Sequence, residues 1–404
     1  MERALLLLPT TTYRTQAFLD AAGALGVEIV CASERPNVFE DRAPDRLLTL
    51  DFDDPDAAAE GVRRFAETSR IDAVVGVDDR TTVVAAAIAE RLGLPANPVG
   101  AAAAARNKLE MRRRLAAAGV PVPRFEPVSL DDDPAPVARA RTYPCVLKPL
   151  ALSASRGVIR ADTPTEFVAA VERIARILAG AGDTSRTLLA EEFVPGAEVA
   201  LEGLLVGGAL QTLALFDKPD PLDGPFFEET IYVTPSRLPA AVQAELATVT
   251  ARAAAALGLR EGPVHAELRV GPGGPRVIEV AARSIGGLCS RALRFGAGMT
   301  LEELILRHAL GRKIESYERE RRPAGVMMLP IPRAGRLRAV TGVEAARAVP
   351  GIEEIVITTH RGQELVPLPE GWQYLGFVFA RAQTPEAVEQ ALRRAHARLD
   401  VEIV

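Results

Sequence analysis

The chain has 404 residues, 48% of them hydrophobic, enough for two to four domains with filled cores and too apolar for intrinsic disorder. Its 48 Lys and Arg stand against 53 Asp and Glu, a net charge of −5, which excludes the strongly basic balance of a protein held mainly by nucleic-acid phosphates. Three widely spaced cysteines, Cys31, Cys145 and Cys289, argue against a disulfide framework or a zinc site and fit a reducing cytoplasm. The N-terminal apolar run is too short for a signal peptide, and nothing approaches the roughly eighteen apolar residues of a membrane span. A cytoplasmic location with no membrane and no nucleic-acid partner is therefore expected.

In chain order, short apolar runs alternate with helical stretches: Ala4 to Leu8, Thr15 to Leu25, Val27 to Cys31 and Ile71 to Val77. That alternation predicts a parallel α/β layer. The turn Pro9-Thr10-Thr11-Thr12 lacks the G-x-G-x-x-G of a dinucleotide site, so this layer reads as structural. The loop Gly93 to Pro98 places a boundary near residue 100. Asn107-Lys108-Leu109-Glu110 predicts a capping box and a helix to Ala118. A buried strand at Tyr143 to Pro149, a loop at Leu152 to Gly157 and a strand at Val158 to Arg160 follow. Thr163 then caps a helix reaching Leu178, with Pro164 at its first position.

From Thr187 the pattern is strand-rich, with runs at Leu188 to Phe193, Glu198 to Val206 and Ala209 to Phe216. A polar insertion, a helix through Leu257 and strands around residues 265 and 279 complete a mainly antiparallel sheet with helices on one side. Beyond residue 323, Gly325 to Leu329, a helix at Gly342 to Val349, Glu353 to Thr359, Tyr374 to Ala380 and a helix at Thr384 to Leu399 make a small α+β appendix. The expected fold class is thus α/β and α+β multidomain, divided at 1–100, 101–187, 188–322 and 323–404.

The most informative segment runs from Glu267 to Glu279, two apolar-containing runs joined by Gly271-Pro272-Gly273-Gly274, which is a hairpin signal. If the turn is centred on Gly273, Val270 faces Arg276 and Glu267 faces Glu279, with Cβ atoms roughly 5 Å apart on one face. Like charges so placed repel, and a Mg²⁺ between them converts repulsion into coordination shared with substrate phosphates. A solvated or slipped hairpin is the alternative. Lys148 ends a strand directly before a loop whose Ser153, Ser155 and amides around Arg156-Gly157 can donate to phosphate oxygens. Taken alone it is an ordinary strand-end lysine. The same plain alternative holds for Lys108, although a cation at a helix N-terminus opposes the dipole, which points to another use. The G-x-x-x-x-G-K-[ST] string of the common NTPase scaffold is absent.

Arg283, four residues beyond Glu279, suits a transferring phosphoryl group or a carboxylate, against the plain alternative of a surface arginine. Gly286 and Gly287 either admit a substrate to the backbone or form only a turn. Lys218 and Glu229, in the insertion before Ile231, are candidates to face substrate or nucleotide; an exposed mobile loop is the alternative. His265 shares strand parity with Glu267, which allows it to face the same site, but it reads as a core or rim residue; Trp372 and Tyr374 are placed to touch a substrate or, as the leading reading, to anchor the appendix's own core.

The order of these elements resembles the ATP-grasp superfamily, and within it enzymes similar to bacterial L-amino-acid ligases. The strings that carry the resemblance are Asn107-Lys108, Val146-Leu147-Lys148-Pro149, Ser153-Ala154-Ser155-Arg156-Gly157, Glu191-Glu192-Phe193-Val194 with Gly196-Ala197-Glu198, and Glu267 with Glu279-Val280-Ala281-Ala282-Arg283. The subfamily likeness rests on Lys218 to Pro221, Phe226 to Glu229 and the appendix. The resemblance implies a two-part ATP-grasp fold behind an N-terminal α/β domain. In it Lys108 and Lys148 hold the α- and β-phosphates of ATP, and the Ser153 to Gly157 loop closes over the β- and γ-phosphates. Glu191, Phe193 and Val194 belong to a hinge strand presenting its backbone to adenine, Glu198 bonds the ribose, and Glu267 and Glu279 bind Mg²⁺, with Mn²⁺ as a substitute. Many relatives carry an asparagine where this chain has Ala281, which leaves a second metal's ligands open. The implied activity is ADP-forming ligation of a small carboxylate to a small amine through an acyl phosphate, with Arg283 and Lys148 spreading the developing charge and the Ser153 loop and 218–230 insertion as lids. The alternatives are a ligase with a thiol, purine-type or biotin-pathway acceptor, and a nucleotide-binding protein without turnover. A homodimer is left open.

Overall fold

A computed structural model describes the chain apart from Val38 and the Asp41 side chain. The strand Arg3–Leu7 pairs in parallel with Glu28–Ser33 on one side and Ala73–Gly76 on the other, with Leu47–Thr49 at the edge. Its alternate side chains fill two different cores. Leu5 and Leu7 pack with Ala58, Val62, Val84 and Ile88, whereas Ala4 and Leu6 pack with Phe18, Ala21 and Ala22 of the helix Thr15–Leu25. Burial on both faces is why this strand reads as an unbroken apolar run. The helix ends where Gly26 adopts φ 62, a left-handed termination that most residues resist.

Two antiparallel sheets make up the centre. The smaller has the order Phe125–Ser129, Thr187–Glu192, Cys145–Pro149, Ile159–Ala161 and is covered by the helix Pro164–Ala181 through Phe167, Ile174 and Leu178. Both predicted helix caps form, with one difference each. The Thr163 hydroxyl accepts the Glu166 amide at 3.2 Å, but the Glu166 carboxylate takes the Asp162 amide at 2.7 Å. Asn107 accepts the Leu109 and Glu110 amides at 3.1 and 3.0 Å, while Glu110 pairs with Arg114 at 2.8 Å instead of closing a box. These side chains satisfy orphan amides of each first turn.

The larger sheet has eight strands in the order Gly274–Ala281, Gly262–Gly271, Ala197–Val206, Ala209–Asp217, Ile231–Thr234, Ala324–Leu329, Gly376–Arg381 and Ile352–Ile357. The pairing of Ile231–Thr234 with Ala324–Leu329 joins the α+β elements after residue 323 directly to the sheet that bears the Glu267 hairpin. The strands Gly335–Thr341 and Asp400–Ile403, not recognised from sequence, pair with each other beside it. Among the described residues, no helix is long and apolar enough to cross a membrane.

One buried ionic contact ties the first unit to the centre. Arg14, 1% exposed, donates to Ser284 Oγ at 2.6 Å and Glu302 at 2.8 Å, and Ser290 donates to the same carboxylate at 2.7 Å. Burial alone would raise the Glu302 pKa, but the Arg14 charge and these hydrogen bonds hold it below the usual range. Arg14→Ala, which strands Glu302, is expected to cost roughly 3–5 kcal/mol in urea denaturation near neutral pH, and more than the double change to Met at both positions. Because the folded pKa of Glu302 is depressed, its contribution is full above its unfolded value of about 4.5 and fades as the pH falls further, so the wild-type advantage should shrink there.

Candidate active site

A cavity of about 450 Å³ is lined by residues of both antiparallel sheets, the parallel unit and the segment after residue 323. Glu267 and Glu279 are cross-strand partners and both line it, by a route that differs from the expected one. The turn is the two-residue Pro272-Gly273, so Val270 pairs with Pro275 and Arg269 with Arg276. A one-residue bulge then intervenes: Leu268 pairs with Val277 and Glu267 with Glu279, leaving Ile278 as the extra residue. The symmetric turn about Gly273 is thus corrected, and the facing carboxylates are a product of the bulge. Two partly exposed carboxylates opening into one cavity are a donor set that suits a hard divalent cation such as Mg²⁺ or Mn²⁺.

Each glutamate already has a cation. Glu279 lies 3.4 Å from Lys108 Nζ, which also donates to the Leu152 carbonyl at 2.9 Å. Glu267 lies 3.0 Å from Lys218 Nζ and 3.6 Å from His265 Nε2. Oxygens of Glu198, Glu229 and Glu267 come within 4.8 Å of one another, the spacing of a metal cluster, but Lys218 occupies its centre. Its ammonium is 2.8 Å from Glu198 and also bonds Glu229. Lys218 is therefore neither an exposed loop lysine nor turned toward the cavity: its side chain is 3% exposed and spent on three carboxylates. Burial opposes its charge, yet those carboxylates lift its pKa well above normal. Burial and then the Glu267 charge push Glu229, which lines the cavity, up to about 7. Glu267 itself is held well below the ordinary range, the Lys218 charge and His265 overcoming burial. His265 bonds Glu202 at 3.1 Å, and that bond, with the contact to Glu267 second, raises its pKa to about 9 despite burial.

On the opposite side Lys148 Nζ sits 2.6 Å from Glu191, whose other oxygen is bound by Arg112. Glu191 contributes this side chain and not a free backbone: it lies inside the sheet, paired with Phe125 and Val146 on its two flanks. The next amides, Glu192 and Phe193, donate to the Arg124 and Pro144 carbonyls at 2.9 and 3.1 Å. The Arg160 and Arg269 guanidinium groups lie 4.3 and 5.0 Å from the Phe193 ring. The Val194 carbonyl accepts from Arg269 at 2.8 Å, and Glu198 accepts from the same arginine at 2.9 Å. Arg112 also bonds the carbonyl of Ile278, the bulged residue.

Ser153 and Ser155 line the cavity, and Ala154 and Ser155 hold φ of 56 and 54, a left-handed pair that non-glycine residues adopt only when held there. Gly157 stands behind the loop. Its N–H donates to the Pro369 carbonyl at 2.9 Å, and a Cβ there would lie 2.8 Å from Pro149 Cγ. The two glycines after Arg283 also separate in role. Gly287, at φ 59, would drive a Cβ to 2.9 Å from the Phe377 ring, whereas a Cβ on Gly286 would meet nothing within 4 Å.

Arg283 Nη2 is 2.8 Å from Asp79 of the first unit. Thr11, Thr12, Tyr13, Asp78 and Asp79 all line the cavity, so the parallel layer read as structural supplies a wall of the site. A signal was present: both turns follow the carboxyl ends of parallel strands, where open α/β sheets bind ligands. Trp372 and Tyr374 likewise line the cavity, and neither is part of the appendix's own core, contrary to expectation: Tyr374 packs on the central cluster beside Phe377. Lys218→Met leaves three adjacent carboxylates without their cation and is expected to lower stability by about 3 kcal/mol or more in denaturant titration, partly restored by adding Glu229→Gln.

Residues 141–292 match the ATP-grasp domain family, residues 19–96 the ATP-grasp N-terminal domain and residues 327–404 the L-amino acid ligase C-terminal domain 2. The crystal structure of L-amino acid ligase from Bacillus licheniformis superposes with a TM-score of 0.82 at 26% identity, covering 100% of this chain and 99% of that one. Alanine–anticapsin ligase of Bacillus subtilis (strain 168) is 26% identical over 327 residues, 73% of this chain and 69% of that protein. Carnosine synthase 1 of Gallus gallus is 28% identical over 349 residues, 81% of this chain but only 37% of that longer protein. With three successive domain matches and a full-length structural likeness, the chain belongs to the ATP-grasp ligases and is built like an L-amino acid ligase.

Proposed function

We propose that the chain is an ADP-forming ligase that joins the carboxylate of one amino-acid-like substrate to the amine of another through an acyl phosphate. The observation that carries this reading is the opening of Glu267 and Glu279 into the same cavity as Lys108, Lys148 and Arg283. Lys108 and Lys148 hold the α- and β-phosphates of ATP, with Glu191 and Arg112 fixing Lys148 from behind. Ser153, Ser155 and the amides of their loop cover the β- and γ-phosphates, the Phe193–Val194 end of the hinge strand meets adenine, and Glu198 meets the ribose. Glu267 and Glu279 are the residues that would hold Mg²⁺ or Mn²⁺, which when bound neutralises phosphate oxygens; Ala281 offers no ligand atom.

A substrate carboxylate oxygen attacks the γ-phosphorus and ADP leaves; the neutral amine then attacks the acyl carbon, phosphate leaves and the nitrogen loses its proton. Carboxylates need this activation because their own oxygen is a poor leaving group. Catalysis of such a transfer is chiefly positioning and electrostatic. Asp79 holds Arg283 charged and aimed along the cavity wall, where the guanidinium can balance a carboxylate or the phosphoryl in flight. Closure keeps water from the acyl phosphate. Two straps support a lid role for the loop and the insertion: Arg160 donates to the Asp223 and Pro225 carbonyls at 2.7 and 2.9 Å, and Gly157 to Pro369.

Incubation with MgATP and pooled amino acids should release ADP and phosphate in step with an amide product identified by mass spectrometry. ATP binding with no amine-dependent ADP release would overturn the reading. Glu279→Gln should lower turnover about 100-fold or more while leaving the thermal midpoint close to wild type; an unchanged rate removes Glu279 from the site. Chelation of divalent cations should abolish turnover, and Mg²⁺ or Mn²⁺ should restore it.

A further inference from the structure

A second cavity, of about 400 Å³, adjoins the Ser153 loop. It is lined by Arg156 of that loop, by Arg173 and Arg176 of the helix Pro164–Ala181, and by Glu364, Glu370 and Trp372 of the segment after residue 323. Arg156 and Trp372 also line the first cavity, so the two spaces share a wall; the other four residues do not. Charge around the second cavity is unevenly matched. Arg173 is spent on Glu370, its Nε and Nη2 donating to the two carboxylate oxygens at 2.6 and 2.9 Å. That bond is the main reason the Glu370 carboxyl lies below its usual pKa range, and the Arg176 charge adds to it. Arg156 gives its Nε to a neutral acceptor, the Glu370 carbonyl, at 2.9 Å. Burial alone acts on the Arg156 pKa and lowers it, whereas Arg283, also drawn from water, is lifted by Asp79. Among the described residues neither Arg156 nor Arg176 is ion-paired with a carboxylate. Arg173 and Arg176 stand three residues apart, so their charges repel along one helix face. Three guanidinium groups against Glu364 and Glu370 leave one positive charge in excess.

We propose that this second cavity binds a phosphate-bearing anion through the guanidinium groups of Arg156 and Arg176, separately from the nucleotide. The inference goes beyond the ligase reading and does not depend on it. A carboxylate offers two oxygens and satisfies one guanidinium fork, as Glu370 satisfies Arg173. Two further forks converging from a loop and a helix suit a tetrahedral oxyanion, which has acceptor oxygens for both. Chloride, a single point charge, offers no such geometry. Free inorganic phosphate and a phosphate group carried on a small organic molecule share this chemistry. Because Arg156 belongs to the loop beside the first cavity, the bound anion holds that loop from its far side.

Trp372 is the chain's only tryptophan, so intrinsic fluorescence of the full chain reports on this wall. With the first cavity saturated by a non-hydrolysable MgATP analogue, inorganic phosphate should change the emission saturably, and sodium chloride of equal ionic strength should not. Arg176→Ala should weaken the apparent affinity for phosphate about tenfold, and Glu364→Gln, which removes the opposing charge, should tighten it about threefold. A general loss of structure cannot produce shifts of opposite sign. Neither residue lines the first cavity, so both variants should keep the wild-type thermal midpoint and affinity for the analogue. Glycerol 3-phosphate in place of inorganic phosphate separates the two sources: tighter binding supports a site for a phosphorylated small molecule, and weaker binding a site for free phosphate. A response that chloride reproduces, that the analogue abolishes, or that either substitution leaves unchanged overturns the proposal.

Discussion

Like charges cannot be gathered in a part-buried cavity unless each is matched, and the architecture around Glu267 and Glu279 follows from that constraint. Two unit charges 4 Å apart interact by about 4 kcal/mol at a protein-like effective dielectric. Stacking Glu198, Glu229 and Glu267 against one another is tolerable only because Lys218 sits among them, with His265 beside Glu267, Arg269 on Glu198 and Lys108 on Glu279. The result is an alternating lattice of carboxylate and cation, with Lys148 and Glu191 completing it across the cavity. Removing a member from such a lattice costs more than the contact it made, because the partner left behind keeps its charge without its counter-ion.

The site is assembled from distant parts of the chain. The parallel unit brings Asp79 to Arg283 and Arg14 to Ser284, so the loop after the Glu267–Glu279 hairpin is gripped at two successive residues by the same unit. The segment after residue 323 brings Pro369 to the amide of Gly157 and Glu370 to Arg156 and Arg173. The periphery thus supplies part of the cavity wall, while Lys148, Glu267 and Glu279 come from the two central sheets.

Much of this was legible in the sequence because it is local. Caps at Asn107 and Thr163, the extent of Thr15–Leu25 and the strand before Lys148 follow from side chains acting within a few residues of themselves. The Glu267–Glu279 pairing was also reached, although from a symmetric turn that does not exist; a tighter turn and a bulge shift the register in opposite directions and cancel. What sequence order concealed were contacts between residues far apart in the chain. Lys218 looks like a loop lysine until the strand Glu198 and the strand Glu267 are laid beside it. Asp79 and Tyr13 look like ordinary turn residues until the parallel sheet is docked on the cavity. Gly286 and Gly287 read alike as a pair, and only the Phe377 ring tells them apart.

Arg112 links two elements that otherwise share no hydrogen-bonded edge. One arm fixes the carboxylate that steadies Lys148, and another takes the carbonyl freed where Ile278 breaks the ladder. Together with the Arg276–Glu192 pair, this rigid, planar fork sets the spacing between Lys148 and the acidic hairpin, as a jig holds two workpieces. Lysine at this position, a lone point charge on a flexible stem, could satisfy either contact but not keep both at a constant separation. Fine alignment of the two halves is in this sense delegated to a residue that touches neither the cavity's contents nor solvent.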